Sequence, residues 1–212
     1  MKKTELMIMA TCFLLSISEA AVASMNHDGE PSAPYNLRWG MSYDEARNIP
    51  LYSLAVQDIN YAGRDHNLIS AEVEPYELNA DEFQYVTLYF DKKIGLKGAV
   101  FTTSVDEQHD NGKKSARVDN GKEGLEIYQK QTKFLEKQYG LAKNKEETVT
   151  DKRNFYKSLS ECKRKQQDWY SKGLDVSKIT NCPKWQSDYK KGRTTVLLTL
   201  EPYQITTKYI YK

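Results

Sequence analysis

Three histidines, three cysteines and a few paired carboxylates are the residues of this 212-residue chain that could do chemistry. The densest group is Asp106, Glu107, Gln108, His109 and Asp110. Three carboxylates and an imidazole suit a divalent cation, and a bound ion would activate water for hydrolysis. The spacing matches no established ligand geometry, and a solvated acidic loop is the simpler reading. The run Asp119-Asn120-Gly121-Lys122-Glu123-Gly124 places Gly121 and Lys130 where a calcium loop needs oxygen ligands, which excludes that site. Glu72 and Glu74 share one strand face, as two catalytic acids do, but such pairs are common on exposed sheets. His27 and His66 stand in polar surroundings. A Walker glycine loop, a dinucleotide fingerprint, His-Glu-x-x-His and Gly-x-Ser-x-Gly are all missing from the sequence. The expectation is a protein with no catalytic residues, no metal and no cofactor.

The cysteines point to a compartment. Lys2 and Lys3 precede a mostly apolar run over 6–17, and Ala21-Val22-Ala23 matches a small-x-small cleavage site. Residues 1–23 therefore read as a signal peptide, cut near Ala23-Ser24, and the mature protein is expected in the periplasm or secreted. The run is shorter than the roughly 20 residues a permanent span needs, and no later segment is as apolar, so no transmembrane segment is expected in the mature chain. Cys12 leaves with the signal. Cys162 and Cys182 remain, and an even count in an oxidising compartment reads as a disulfide. Such a bridge contributes about 3 kcal/mol where its geometry is unstrained.

Binding chemistry is better represented than catalytic chemistry. Residues 24–112 carry 6 Lys or Arg against 15 Asp or Glu, and residues 113–212 carry 23 against 12. The near-neutral total thus hides an acidic and a basic half. Lys163, Arg164 and Lys165 crowd one stretch of the basic half, with Trp169 and Tyr170 close behind. Cations interleaved with aromatics can grip an anionic surface, although most charge runs are solvated helix faces. In an exported protein the partner is an envelope or secreted protein, an anionic lipid or a polysaccharide, and not nucleic acid. Fifteen tyrosines are a high count for this length, and several alternate along strands, as Tyr85 with Tyr89 and Tyr209 with Tyr211. Tyrosine supplies rigid contact area with a polar tip, at interfaces and in half-buried sheets alike. The candidate partner surface is accordingly Lys163, Arg164, Lys165, Trp169, Tyr170, Tyr209 and Tyr211.

The elements that must position these residues follow from periodicity. Residues 24–34 are polar and contain two prolines, which predicts a flexible lead-in. Residues 35–39 form a short strand candidate. Ser42 and Glu45 make a capping box for a helix that stops near Pro50. Residues 51–61, 68–74, 83–91 and 97–105 read as four strands in an antiparallel meander. In the third, Val86, Leu88 and Phe90 alternate with Tyr85, Thr87 and Tyr89. A helix is expected from the capping pair Asn120 and Glu123 to Gly140, carrying Leu125, Tyr128, Leu135 and Tyr139. A second carries Phe155, Leu159, Cys162, Gln166 and Trp169 and ends at Gly173. The close is a hairpin of 194–200 and 204–211. Its turn, Glu201-Pro202-Tyr203, repeats Glu74-Pro75-Tyr76, a weak sign of a duplicated unit. The fold class is α+β, an antiparallel sheet with helices packed on one face and one disulfide, in a single domain over 35–212 that leaves open a division into 35–112 and 113–212.

Leu37-Arg38-Trp39-Gly40-Met41-Ser42 with Glu45 resembles the strand-to-helix opening of small exported bacterial envelope proteins. Leu88-Tyr89-Phe90-Asp91 with Gly95-Leu96, the stretch from Leu135 to Tyr139-Gly140, Trp185 and the closing strand pair extend the resemblance over most of the mature chain. The resemblance implies the α+β fold and a bacterial periplasm, with no activity to transfer. The expected function is a non-catalytic binding protein of the envelope, of inhibitor or immunity type toward a periplasmic or secreted enzyme. The alternatives are a metal-dependent hydrolase around 106–110 and a binder of anionic lipid or polysaccharide.

Overall fold

A computed structural model describes residues 30–47, 55–57, 68–105, 121–149, 155–179 and 183–212. The signal segment, the 106–110 cluster, all three histidines and Cys182 lie outside the described residues. The chain is an α+β protein, and its described residues form one antiparallel sheet of eight strands. The strands are β1 (Ala55–Gln57), β2 (Leu68–Val73), β3 (Tyr85–Asp91), β4 (Gly95–Ser104), β5 (Asn144–Glu147), β6 (Trp185–Lys191), β7 (Thr194–Leu200) and β8 (Gln204–Tyr211). The helices are α1 (Tyr43–Arg47), α2 (Lys122–Tyr139) and α3 (Phe155–Ser171).

The spatial order β1-β2-β3-β4-β8-β7-β6-β5 is palindromic. Each half contributes a helix and four antiparallel strands, its first strand at an outer edge and its last at the centre, and in the second half α3 interrupts the strands between β5 and β6. β4 and β8 then join the halves by seven cross-strand pairs, from Gly98–Ile210 to Ser104–Gln204. The acidic and basic halves therefore share one sheet. The Glu-Pro-Tyr triplets do not mark this duplication. The first lies between β2 and β3 and the second between β7 and β8, which are not equivalent connections in the two halves.

Register assigns one face of the sheet to the core. Val73, Val86, Phe101, Thr207, Leu198 and Ser187 are cross-strand neighbours in one row, and Ala71, Leu88, Ala99, Tyr209, Val196 and Tyr189 in the next. All twelve are buried. The N-terminal segment covers the β2–β4 side of this face. Pro34-Tyr35-Asn36-Leu37 is a tight turn, with positive φ at Tyr35 and Asn36 and a bond from the Leu37 N–H to the Pro34 carbonyl. The strand expected at 35–39 is absent because two successive left-handed residues fold the chain back. That turn sets the Tyr35 ring against Phe83 and Phe101. The lead-in also needs correcting at its end. Pro31 and Ala33 are buried, and the Glu30 carboxylate accepts a hydrogen bond from the Arg193 N–H at 2.8 Å. Gly95 is required by close approach, since a side chain there would strike the Gly40 and Met41 backbone.

The expected Ser42–Glu45 capping box is present in both directions, at 3.0 and 2.6 Å. It orients α1, from which Tyr43 meets Phe90 edge to face. α2 starts after Gly121, which carries no side-chain cap, and Asn120 of the expected pair lies outside the described residues. It ends at Gly140, as expected, through a bond from the Gly140 N–H to the Glu136 carbonyl. Gly124, Tyr128, Leu135 and Tyr139 form its buried stripe. The stripe packs on β6–β8, where the Tyr128 hydroxyl bonds Ser187 Oγ at 2.6 Å and Thr207 Oγ1 donates to Gln131 Oε1 at 2.8 Å. These bonds let polar residues lie in a dry layer, where unpaired hydroxyls are costly.

Candidate binding surface

The other face of the same strands carries three cross-strand rows. The first is Tyr85, Thr102, Thr206, Thr199, Gln186 and Glu146. The second is Glu72, Thr87, Val100, Lys208, Leu197, Asp188 and Asn144. The third is Tyr89, Gly98, Ile210, Thr195 and Lys190. Most of these side chains are half-buried or exposed, and Tyr85 reaches 68% exposure. Val100, Leu197 and Ile210 form an aliphatic centre around Lys208, and threonines surround it. The Tyr89 side chain lies against Gly98, within about 3.6 Å of where a Cβ would stand, so the ring shields backbone that a glycine would leave bare. Charges gather toward the β5 and β6 end, where Asn144 bonds Asp188 and Gln186 bonds Glu146.

α3 packs at the end of β6 and β7, against Trp185 on the core side of the sheet. Its N-terminal turns are buried through Phe155, Tyr156 and Leu159. Phe155 meets Trp185 edge to face at 4.9 Å, and Tyr156 meets Tyr203. The helix then passes the ends of β6 and β7. A groove of about 200 Å³ runs between it and the sheet, lined by Leu159, Cys162, Lys163, Trp185 and Leu200, and opens at Gln186 and Thr199 of the first row. Lys163 Nζ donates to Glu201 Oε1 at 3.0 Å across its rim. The groove thus lies at the end of the sheet and reaches the first row only at Gln186 and Thr199.

The candidate partner residues separate. Lys163 stands at the groove, Arg164 and Lys165 point to solvent, and Trp169 is half-buried with Lys165 Nζ 5.8 Å from its ring centre. Tyr170 is 80% exposed. Tyr209 is not a surface residue. It is 2% exposed, on the core side of β8, and meets Phe101 and Tyr139. Tyr211 shares that side, stacked on Trp39 at 5.2 Å with the Arg193 guanidinium 4.5 Å from its ring centre. The alternation that put both tyrosines on one face was legible, but which face the core would take was not. The tyrosines that do reach the open face are Tyr85 and Tyr89. Sequence reasoning also missed its threonines, because they align in rows only through the pairing of β4 with β8, which no local pattern announces.

Burial pushes the Tyr128, Tyr139 and Tyr209 hydroxyls above the usual tyrosine range, so they stay neutral and bond as hydroxyls. Asp91 is held below the usual carboxylate range by the Lys93 and Ile94 N–H groups, which close the β3–β4 turn. Among the described residues no group of three or more His, Cys, Asp or Glu is placed to hold a metal ion. No described helix is long and apolar enough to cross a membrane. Cys182, the partner expected for Cys162, lies outside the described residues. Compared with protein-family models, curated proteins and solved structures, the chain finds no match.

Proposed function

We propose that this chain is an exported, non-catalytic binding protein of the bacterial envelope, and that the open face of its sheet receives a partner protein. The observation that carries this reading is the asymmetry of the sheet. Helices and the N-terminal segment cover one face, while the other presents threonine, aliphatic and tyrosine side chains in three rows beside a groove. Interfaces concentrate aromatic and aliphatic area at their centre and move charge to the rim, and these rows follow that distribution apart from Lys208. The specific form we favour is an inhibitor or immunity-type protein that blocks a periplasmic or secreted enzyme. The signal segment, the resemblance to exported envelope proteins and a Cys162–Cys182 bridge belong to the same proposal. The metal-dependent alternative rests on 106–110, and no described residue adds to it.

The test is differential capture from envelope extract. The wild-type chain should retain a specific partner that the variant Val100→Arg/Leu197→Arg/Thr206→Arg loses. A control on the outer side of α2, Lys130→Glu/Lys133→Glu, should retain it. If the retained partner is an enzyme, stoichiometric addition of the pure chain should lower its activity. Retention by the arginine variant, or no specific partner at low and moderate salt, would end the reading.

A further inference from the structure

We propose that the C-terminal end of α3 is a second, separate surface, which adsorbs to an anionic lipid bilayer. The helix begins on the core and leaves it. Phe155 and Leu159 are buried, Cys162 and Gln166 are half-buried, and Tyr170 stands out at 80% exposure with Leu174 beyond it at 49%. This end is held in place. Gly173 takes positive φ, the Gly173 N–H bonds the Tyr170 carbonyl at 3.0 Å, and the Leu174 N–H bonds the Trp169 carbonyl at 2.9 Å. Those two bonds cap the helix and fix Leu174 beside its last turn.

Charge around this tip is unbalanced. Residues 155–179 carry six Lys or Arg against three Asp or Glu. Lys172 pairs with Asp168 at 2.8 Å and Lys163 with Glu201 at 3.0 Å. Arg164, Lys165 and Lys178 have no carboxylate partner among the described residues. Lys165 instead leans over Trp169. A tryptophan, a tyrosine and a leucine at a helix tip, with Lys165 over the tryptophan ring and Arg164 and Lys178 in the same segment, make two demands at once. Lipid phosphates take the cations, and the zone below the headgroups takes the rings and the leucine. A soluble polyanion meets only the first demand.

Co-sedimentation with vesicles decides this. The full chain should bind phosphatidylglycerol vesicles and not phosphatidylcholine vesicles, more weakly as salt rises. Arg164→Gln/Lys165→Gln should weaken binding about 25-fold, from roughly fivefold for each cation near an anionic surface. Tyr170→Ser/Leu174→Ser should lose the part that survives moderate salt. Tryptophan emission should shift to the blue on phosphatidylglycerol vesicles, and Trp169→Phe should abolish the shift. The substituted cations, Tyr170 and Leu174 are exposed, so unchanged circular dichroism will accompany these losses. Equal binding to both lipids, no binding, or an unchanged Arg164→Gln/Lys165→Gln variant overturns the proposal. The same blue shift with soluble polyglutamate also overturns it, in favour of an acidic protein partner. Val100, Leu197 and Thr206 lie outside this surface and Arg164, Lys165, Tyr170 and Leu174 outside the sheet face, so either proposal can fail alone.

Discussion

Val100 and Phe101 are adjacent on β4, yet they live under different constraints. Phe101 is fully buried and meets Tyr35, Phe83 and Tyr209, whereas Val100 is half-exposed between Thr87 and Lys208. The same contrast runs across the sheet. On the covered side every hydroxyl has to be reconciled with burial, and on the open side threonines keep water as a partner. The covered side is itself divided. Beneath the N-terminal segment it is aromatic and aliphatic, and beneath α2 it carries hydroxyls, with Ser187 and Thr207 met by Tyr128 and Gln131 of the helix. A folded layer tolerates polar groups where an element above supplies their partners.

The widest separation should appear when the two neighbours are truncated in turn. Phe101→Ala should cost about 3–5 kcal/mol, read as a fall in the urea midpoint. Val100→Ala should cost no more than about 1 kcal/mol. Equal losses would mean that the open face is covered after all. Alkaline pH should act next, and on the covered side. Tyr128, Tyr139 and Tyr209 are raised by burial, so the unfolded chain loses these protons first, near pH 10. Stability is then fully present below about pH 10 and falls above it, by up to about 1.4 kcal/mol per pH unit for each such group. Urea titrations from neutral to strongly alkaline pH should show that fall, and Tyr139→Phe should make it shallower.

A smaller effect separates the hydroxyl layer from the hydrocarbon one. Tyr128→Phe should cost about 1–3 kcal/mol, because Ser187 Oγ loses the partner that justifies its burial. Adding Ser187→Ala should cost less than the two single changes together, and a double-mutant cycle measures the coupling. Additivity would mean that the pair does not act as one. The smallest effect belongs to the open face. Thr206→Ala should change stability by less than about 1 kcal/mol, and a larger loss would place Thr206 in the core.

Much of this was readable in advance where side chains alternate against a strong apolar pattern. β2, β3, β4, β7 and β8 were all expected, as was the alternation of Val86, Leu88 and Phe90 with Tyr85, Thr87 and Tyr89. The stripe of α3 and the Gly140 and Gly173 stops were expected too. β5 and β6 were not. Asn144-Lys145-Glu146-Glu147 contains no apolar residue, and β6 turns Ser187 inward where a hydrophobic residue would have signalled a strand. Their strand character comes from the ladder, β6 pairing with β7 and β5 with β6, and from the Tyr128 hydroxyl that meets Ser187. β5 closes an edge, where Lys145 and Glu147 pair at 2.7 Å, and charge on an edge strand discourages addition of another strand. The candidate surface was half legible. Its basic helix was read correctly as a helix, while Tyr209 and Tyr211 were assigned to a surface that the covered face denied them.

By itself the sequence determined the α+β class, the helix boundaries carried by the Ser42–Glu45 box and by Gly140 and Gly173, and the alternation of the strongly apolar strands. These depend on local geometry and on spacing within one element. Only the tertiary structure decided that the acidic and basic halves join as one palindromic sheet through β4 and β8. It also decided which face that sheet would bury, and that its polar strands would be strands at all. Those outcomes depend on which residues meet across the fold, and on whether a buried hydroxyl finds its partner there.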